Sequence, residues 1–241
     1  MTSPVPAGTV CSMADKPHTI YVGAMPYASY RYFMTSRALE VLEQIACDDR
    51  YPGSCDPNSL SILATLIHTC QTAKVLQIGT WIGFSSVVLA SALAKVNPAK
   101  KPRLWTVDIA VFETGLASKY IEKAGLAPYV EFVIGDSTDP ATVAKLAREG
   151  PFDIVFVDGK HDYSVNRREL DLYYPLIRPH GFLALHDSSK YAATIDTEGQ
   201  GGVLRALSEW MLENRITNRL MLDNPLWPDP MGFFIMVKPA V

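Results

Sequence analysis

Five short apolar runs, each followed by a helical pattern, begin at Lys74 and constrain the fold more than any other feature of the sequence. The runs are VLQIG, RLWTVDI, VEFVIGD, FDIVFVDG and FLALHD. Continuous apolar strands that alternate with helices are typical of a parallel sheet covered on both faces. Two later segments, NRLMLDN and GFFIMVK, predict an antiparallel hairpin. The sequence therefore predicts a doubly wound, mostly parallel seven-stranded α/β sheet that the hairpin closes.

The part of the chain before this alternating pattern has a different organisation. We assign residues 1–73 to an N-terminal arm and helices and residues 74–241 to the α/β domain. About the first twenty residues are rich in small and polar side chains, which favours a flexible arm. Two helical segments follow, around Ala38 to Ala46 and in LSILATLIHTCQTA, separated by the turn-rich break DDRYPGSCDPNS. We expect this region to form a cap over the substrate or a subunit contact.

Composition excludes several classes of partner and compartment. The formal net charge of −3, with lysines and arginines scattered along the chain, disfavours nucleic acid as a partner. No apolar run is long enough to span a bilayer, and the N-terminal residues lack the apolar core of a signal peptide. The four cysteines form no CxxC pair and are interpreted as free thiols. We therefore expect a cytoplasmic protein without a membrane partner.

Polar and glycine residues at the ends of the first three strands are the candidate ligand-binding residues, because open parallel sheets bind ligands at the carboxyl ends of their strands. Gly79 and Gly83 allow a tight turn and a close approach to a helix N-terminus. A carboxylate at Asp108 can accept hydrogen bonds from ribose hydroxyls. A packing turn, a helix cap and a simple polar turn remain the structural alternatives. The predicted cofactor-binding residues are Gly79, Thr80, Gly83, Ser85, Asp108, Asp136, Ser137 and Asp158.

The fourth and fifth strands end in carboxylates and histidines. Asp158 ends strand four and is followed by Lys160 and His161, whereas His186 and Asp187 end strand five. Carboxylates and imidazoles at one rim are suitable ligands for a divalent cation and a suitable general base. Each residue also has a structural alternative, since an Asp can cap the next helix and a backbone group can satisfy a His.

Taken together, the strand ends resemble the class I S-adenosylmethionine-dependent methyltransferases, which have a Rossmann-like fold. The resemblance extends from Lys74 to Val241 and is strongest to small-molecule O-methyltransferases of the catechol and macrolide-sugar types. VLQIGTWIGFSS is similar to the family's first motif, although Gln77 replaces an acidic residue. Asp108 matches the ribose-binding acid, and Gly135, Asp136 and Ser137 match the turn beside adenine. The resemblance implies S-adenosylmethionine as cofactor and a hydroxyl of a small organic molecule as methyl acceptor.

The resemblance also implies a metal centre and a base. Catechol-type relatives end the fifth strand in an Asp-Asn pair, where this chain has Asp187 and Ser188. The macrolide-sugar type fits better, with Asp158, a histidine three residues later at His161, and Asp187. The implied ligands of Mg²⁺ or Mn²⁺ are Asp158, His186 and Asp187. His161 is the preferred general base and Lys160 is the rival.

Three segments are candidates to cover the acceptor. They are the aromatic stretch with Tyr27, Tyr30 and Tyr32, the loop SSKYAATIDTEGQGG, and LWPDP. Core packing is the alternative for Tyr30 and Tyr32. The oligomeric state stays open, with a homo-oligomer as one option. The rival functions are a nicotinamide-dependent oxidoreductase, which the absence of a GxGxxG turn disfavours, and a non-catalytic protein that binds S-adenosylmethionine.

Overall fold

The computed structural model describes residues 28–223 and 231–240, in which helices alternate with the strands of a single sheet. The strands are β1 (Lys74–Ile78), β2 (Arg103–Asp108), β3 (Val130–Ile134), β4 (Phe152–Val157), β5 (Ile177–His186), β6 (Arg219–Leu222) and β7 (Phe233–Val237). The helices are α1 (Ser36–Ala46), α2 (Pro57–Thr69), α3 (Phe84–Leu93), α4 (Val111–Lys123), α5 (Pro140–Glu149), α6 (Tyr163–Tyr173) and α7 (Gly202–Glu213).

The seven strands form one sheet in the order β3-β2-β1-β4-β5-β7-β6. The first five strands are parallel, and β7 is antiparallel to both β5 and β6. The predicted fold class is therefore confirmed, including the antiparallel hairpin. The strand order reverses direction between β1 and β4, and this switch point is where open α/β sheets bind ligands.

Helices cover both faces of the sheet, as the apolar character of its strands requires. On one face α1, α2 and α3 pack with the strands in a cluster that includes Leu42, Leu60 and Val88. On the other face α6 and α7 contribute Leu170 and Trp210 to a second cluster. The described part of the N-terminal region thus shares a core with the sheet, whereas the predicted arm before residue 28 lies outside the described residues.

Local sequence signals explain where the elements that carry site residues begin and end. Asp56 accepts hydrogen bonds from the backbone N–H groups of Asn58 and Ser59 and caps α2, which Pro57 opens. Between β4 and β5, the pattern VNRRELDLYYPLI predicts a helix that continues to residue 177, but α6 ends at Tyr173 and β5 already begins at Ile177. Proline lacks an N–H group and cannot continue a helix, so Pro175 accounts for the earlier end.

Two observations place the tips of β1 and β4 in direct contact. Gly79 has a φ of +89°, and a Cβ at this position would lie 1.9 Å from the carbonyl oxygen of Asp158. Only glycine therefore fits, and the ends of β1 and β4 lie in direct contact.

No helix within residues 28–223 and 231–240 has the length and apolar character needed to cross a membrane.

Candidate active site

A cavity of about 760 Å³ opens at the carboxyl ends of the parallel strands. Its size lies within the range of pockets that bind small molecules and cofactors. It brings together residues from the ends of five strands. The predicted site residues that line it are Gly79, Asp108, Asp136, Ser137, Asp158, Lys160, His161, His186 and Asp187.

The Gln77 side chain stabilises the glycine turn after β1 through hydrogen bonds. This buried side chain donates from Nε2 to the carbonyl oxygen of Gly79 and to Ser85 Oγ, and its Oε1 accepts from Ser86 Oγ. Gln77 therefore fixes the shape of the turn with a neutral amide where the family resemblance expects an acid. The Ser85 hydroxyl is directed at this amide and not into the cavity.

Thr80 and Gly83 shape the turn through their backbones. The Thr80 hydroxyl contacts the Thr106 hydroxyl at 2.7 Å inside the sheet, so the side chain faces away from the cavity. Gly83 has a φ of +88° and precedes the first residue of α3. A Cβ on Gly83 would lie 2.7 Å from Cβ of Ala117, which shows how closely α4 approaches the turn.

The carboxylate of Asp108 organises the same turn from the end of β2. Its Oδ2 accepts from the backbone N–H groups of Thr80 at 2.7 Å and Trp81 at 2.9 Å, and its Oδ1 accepts from Ala110 N at 2.8 Å. A carboxylate offers about four acceptor sites. Three of them are occupied by backbone, which leaves room for about one further hydrogen bond from a ligand in the cavity.

The turn after β3 rests on a buried glutamate that the sequence analysis missed. Ser137 Oγ donates to Glu169 Oε1 at 2.5 Å, and Tyr173 Oη donates to the carbonyl oxygen of Ser137 at 2.6 Å. Glu169 is 1% exposed, and its Oε2 has no hydrogen-bond partner. Burial raises the pKa of Glu169 to about 7, although the hydrogen bond from Ser137 opposes the shift.

Glu169 could have been found from its position in the helix. The residues of α6 that are buried include Asn166, Glu169, Leu170 and Tyr173, which recur at helical spacing on one face. A glutamate on the buried face of an amphipathic helix is unusual, because a carboxylate loses its hydration there. Such a residue signals a polar partner on a neighbouring element, here the turn after β3.

The tips of β4 and β5 bring carboxylates and histidines together as the sequence analysis expects. His161 Nε2 lies 2.7 Å from Asp187 Oδ2. One ligand atom from each of Asp158, His161 and Asp187 lies within 4.8 Å of the other two, which is close enough to hold one metal ion. Asp187 adopts a left-handed backbone with a φ of +55°, an unusual conformation for aspartate that commonly marks functional sites.

His186 lies at the centre of three carboxylates. Its Nδ1 is 3.2 Å from Asp187 Oδ2 and 3.4 Å from Asp158 Oδ1, and its Nε2 is 3.1 Å from Asp56 Oδ2. Asp56 was not among the candidate site residues, because it lies in the turn-rich break before the second helical segment, where the structure shows it as the cap of α2. Its second oxygen reaches the site.

The pKa values of this cluster follow from the competition between burial and charge. Burial disfavours the charged imidazole of His186, but electrostatic interactions with Cys55, Asp187 and Asp158 outweigh it and raise the pKa of His186 well above its usual range. Burial also disfavours the charged form of His161, and the hydrogen bond with Asp187 more than compensates and raises its pKa. The two histidines in turn hold the pKa of Asp187 below its usual range despite its burial.

Lys160 lies at the rim of the cavity with its ammonium turned away from the cluster. Its Nζ is 2.6 Å from Asp162 Oδ2, and its side chain is 62% exposed. The hydrogen bond with Asp162 raises the pKa of Lys160. A lysine that is more firmly protonated is a poorer proton acceptor, so this geometry favours His161 over Lys160 as the base.

The aromatic residues predicted to cover an acceptor lie elsewhere. Tyr30 is fully buried in the core and Tyr32 is 87% exposed, and neither lines the cavity. Core packing is thus the correct interpretation of Tyr30. Tyr27 and the segment LWPDP lie outside the described residues. Trp81, to which the sequence analysis assigned no role, lines the cavity, and its Nε1 donates to the carbonyl oxygen of Arg50.

Residues 76–188 match a family described as a methyltransferase domain. Among curated proteins, a catechol O-methyltransferase of Niastella koreensis is 34% identical over 107 residues, which cover 44% of this chain and 45% of the relative. A demethylmacrocin O-methyltransferase of Streptomyces fradiae is 41% identical over 56 residues, which cover 23% and 14% respectively. The chain thus aligns with less than half the length of these curated relatives.

Solved structures share the fold over nearly the whole chain. An O-methyltransferase of Bacillus cereus in complex with SAH superposes with a TM-score of 0.71 and 21% identity, covering 91% of this chain and 98% of that one. TomG of Streptomyces achromogenes, in complex with SAM, has a TM-score of 0.72 and 19% identity, covering 93% and 99%. Residues 76–188 thus match a methyltransferase-domain family, and the solved O-methyltransferases share the fold of the chain. The predicted resemblance to class I S-adenosylmethionine-dependent O-methyltransferases is confirmed.

Glu169 generates a prediction about stability and pH. In the unfolded chain Glu169 has the ordinary glutamate pKa of 4.5 and is ionised above it. In the folded protein its carboxyl keeps the proton up to about pH 7. Folding therefore binds a proton, and the unfolding free energy falls as the pH rises from about 4.5 to 7. Glu169→Gln removes this loss. We expect the variant to gain up to roughly 3 kcal/mol over the wild type above pH 7 and little below pH 4.5, as measured by urea unfolding.

Glu209→Gln is a matched control with the opposite sign. Hydrogen bonds from Tyr163 and Arg205 lower the pKa of Glu209, so its carboxylate stabilises the folded state above its usual pKa. The glutamine variant should lose relative stability as the pH rises. A Glu169→Gln curve parallel to that of the wild type would contradict the assignment of a buried, protonated carboxyl.

Proposed function

We propose that this protein is an S-adenosylmethionine-dependent O-methyltransferase that acts on a hydroxyl of a small organic molecule. One observation carries the proposal. A single cavity joins the glycine turn of β1, Asp108 and the turn after β3 to the carboxylate and histidine cluster at the ends of β4 and β5. The first three features suit a nucleoside-bearing cofactor, and the cluster suits the removal of a hydroxyl proton.

The residues at the first three strand ends fit S-adenosylmethionine in chemistry and arrangement. The methionine end would lie at the turn from Gly79 to Gly83, and a ribose hydroxyl would donate to the remaining acceptor site of Asp108. Adenine would lie beside Asp136 and Ser137. Because Ser137 donates its own proton to Glu169, its oxygen lone pairs are available as acceptors for an amino group.

Methyl transfer to a hydroxyl is an in-line displacement at the sulfonium methyl, so the chain must align the acceptor with the methyl group and take up a proton. His161 is our candidate base, since it lines the cavity and its Nε2–H donates to Asp187, which leaves Nδ1 as the ring nitrogen that would take up the proton. Asp187 orients the imidazole and stabilises the imidazolium that proton uptake produces. Trp81 and Ile195 line the same cavity and would exclude water from the reacting groups.

The carboxylate cluster also fits a divalent cation, Mg²⁺ or Mn²⁺, which would supply Lewis-acid stabilisation of an acceptor oxygen. Asp158, Asp187 and His186 are the proposed ligands, with Nδ1 of His186 3.4 and 3.2 Å from the carboxylate oxygens. Within the described residues, the basic side chains paired with Asp158 and Asp187 are both histidines. The net negative charge that three carboxylates create, Asp56 included, favours a cation.

The acceptor class and the cellular setting are parts of the same proposal. A catechol O-methyltransferase and a demethylmacrocin O-methyltransferase among the relatives support a phenol, a sugar or a similar natural-product hydroxyl as the acceptor. The net charge of −3 argues against nucleic acid as a partner. We place the protein in the cytoplasm with small-molecule partners, and we leave a homo-oligomer open.

Asp108→Ala tests the cofactor site. It removes the carboxylate that holds the N–H groups of Thr80 and Trp81 and would receive the ribose, so S-adenosylmethionine should bind about 10- to 150-fold more weakly by calorimetry. This range corresponds to about 1.5–3 kcal/mol for a lost hydrogen bond to a charged group. Asp139→Ala, which removes only the cap of α5, should leave the affinity unchanged. Equal affinities for the wild type and Asp108→Ala, or preferential binding of NAD, would refute the assignment.

Metal dependence is tested by chelation. Release of S-adenosylhomocysteine is measured with catechol and a panel of phenols and sugars as probe acceptors. EDTA should abolish turnover, and Mg²⁺ or Mn²⁺ should restore it. Asp158→Asn should also lose Mn²⁺ binding by electron paramagnetic resonance, whereas Asp153→Asn at the amino end of the same strand should retain it. Full turnover after metal removal would reassign Asp158 and Asp187 to the orientation of His161.

The choice of base is tested by two neighbouring variants. His161→Ala should lower turnover by roughly 10²- to 10⁴-fold, which is the usual contribution of a general base. Its affinity for S-adenosylmethionine should stay the same, because the imidazole acts mainly in the transition state. Lys160→Ala should be much milder, since its ammonium already pairs with Asp162. The reverse ranking of the two variants would make Lys160 the base.

A further inference from the structure

A second group of metal-ligating atoms adjoins the cluster described above and includes a cysteine. Ligand atoms of Cys55, Asp158 and His186 all lie within 4.8 Å of one another. Cys55 directly precedes Asp56, the cap of α2, so the N-terminal helical layer contributes this ligand to the strand tips. Cys55 is 2% exposed and His186 is 5% exposed. This trio shares Asp158 with the trio of Asp158, His161 and Asp187.

The ring of His186 is oriented as metal-bound histidines are. Such a histidine binds the ion through one ring nitrogen and donates its other N–H to a carboxylate, which fixes the ring. Nε2 of His186 lies 3.1 Å from Asp56 Oδ2, and the opposite nitrogen, Nδ1, points toward Asp158. Asp56 is itself held by the backbone N–H groups of Asn58 and Ser59. The outer carboxylate is therefore preorganised.

The charges around the trio favour a dication. Asp56, Asp158 and Asp187 surround His186, and their ion-pair partners within the described residues are His161 and His186. Lys160 pairs with Asp162 instead. Two buried carboxylates, Asp56 and Asp187, and the partly buried Asp158, opposed by two imidazoles, leave a net negative charge even when both rings are protonated. Carboxylates removed from water need compensating charge.

We propose that Cys55, Asp158 and His186 form a thiolate-bearing site for a zinc-class cation, with Asp56 as the outer carboxylate. A thiolate and an imidazole select Zn²⁺ or Co²⁺ over Mg²⁺, which prefers oxygen ligands. Burial raises the pKa of the Cys55 thiol, so this group is a neutral thiol until an ion binds. On binding, the Sγ–metal bond replaces the S–H bond and the Nδ1–metal bond replaces the Nδ1–H bond of the protonated His186, and both protons leave to solvent.

Shared ligands make the two proposed metal sites competitors. An ion bound at Cys55 takes both Asp158 and His186, which are also proposed ligands of the Mg²⁺ or Mn²⁺ of the proposed methyltransferase. A zinc-class ion should therefore displace Mn²⁺ and lower turnover without touching the cofactor residues at Gly79 and Asp108. The inference rests on the proposed function only for this consequence, since the soft-metal site itself requires no methyl transfer.

Co²⁺ added to the metal-free full-length protein is the direct probe. We expect a near-ultraviolet sulfur-to-cobalt charge-transfer band in the wild type, at one ion per chain. Cys55→Ser should lose the band and weaken Co²⁺ binding at least about 10-fold, because an alcohol replaces the thiolate. Mn²⁺ binding should be unchanged in this variant. Cys70→Ser, which alters an exposed thiol at the end of α2, should keep the band.

Two further measurements keep the test decisive if Cys55→Ser folds poorly. X-ray absorption of the wild type loaded with Zn²⁺ should show one sulfur neighbour at about 2.3 Å. Calorimetry should show S-adenosylmethionine binding with and without Zn²⁺. The soft-metal site is overturned if the wild type shows neither the band nor the sulfur neighbour. It is also overturned if the band survives in folded Cys55→Ser or disappears in Cys70→Ser. Loss of S-adenosylmethionine binding would overturn the proposed function alone.

Discussion

The contact between the tips of β1 and β4 sets the geometry on which the rest of the site depends. Asp158 N donates to the carbonyl oxygen of Ile78, and Gly79 N donates to that of Val107, so three neighbouring strands are tied together at their ends. The missing side chain of Gly79 lets the Asp158 carbonyl approach. The glycine turn and the Asp158 carboxylate are consequently parts of one rigid unit. The distance between the glycine turn and the Asp158 carboxylate, which a ligand bound to both would span, is thus set by backbone packing.

Preorganisation in the two halves of the cavity has different physical origins. At the glycine turn, the Asp108 carboxylate accepts hydrogen bonds from three backbone N–H groups, and the neutral amide of Gln77 donates to the carbonyl oxygen of Gly79. Most polar groups there are satisfied before a ligand arrives. At the ends of β4 and β5, the ion-pair partners of Asp158 and Asp187 within the described residues are histidines, so the charge balance changes when a proton or a cation enters. The glycine-turn half of the cavity is therefore suited to binding a ligand without rearrangement. The half at the ends of β4 and β5 is suited to taking up a proton or a cation.

The sequence predicted what the parallel sheet determines and missed what the helices bring. Asp108, Asp158 and Asp187 could be assigned because each directly follows an apolar strand and parallel strands end at one edge. Asp56 and Glu169 were missed, because Asp56 caps a helix, Glu169 lies within one, and the contacts of both with the site depend on tertiary packing; the buried helix face of Glu169 was the one signal in the sequence. Asp56 has the sequence signature of a cap and satisfies it, which concealed its second contact with His186. Tyr30 does not form an acceptor wall, because its ring is buried in the core.

Asp56 connects the two layers of the molecule. One carboxylate oxygen caps α2 and the other contacts His186, so the position of the N-terminal helical layer and the orientation of the imidazole depend on the same side chain. The N-terminal helices share a hydrophobic cluster with α3, whose start is the glycine turn. A shift of α2 would therefore displace the glycine turn through the packing of α2 against α3. It would also displace the His186 imidazole through the hydrogen bond with Asp56. The helices before β1 are in this sense part of the site and not an appendage to it.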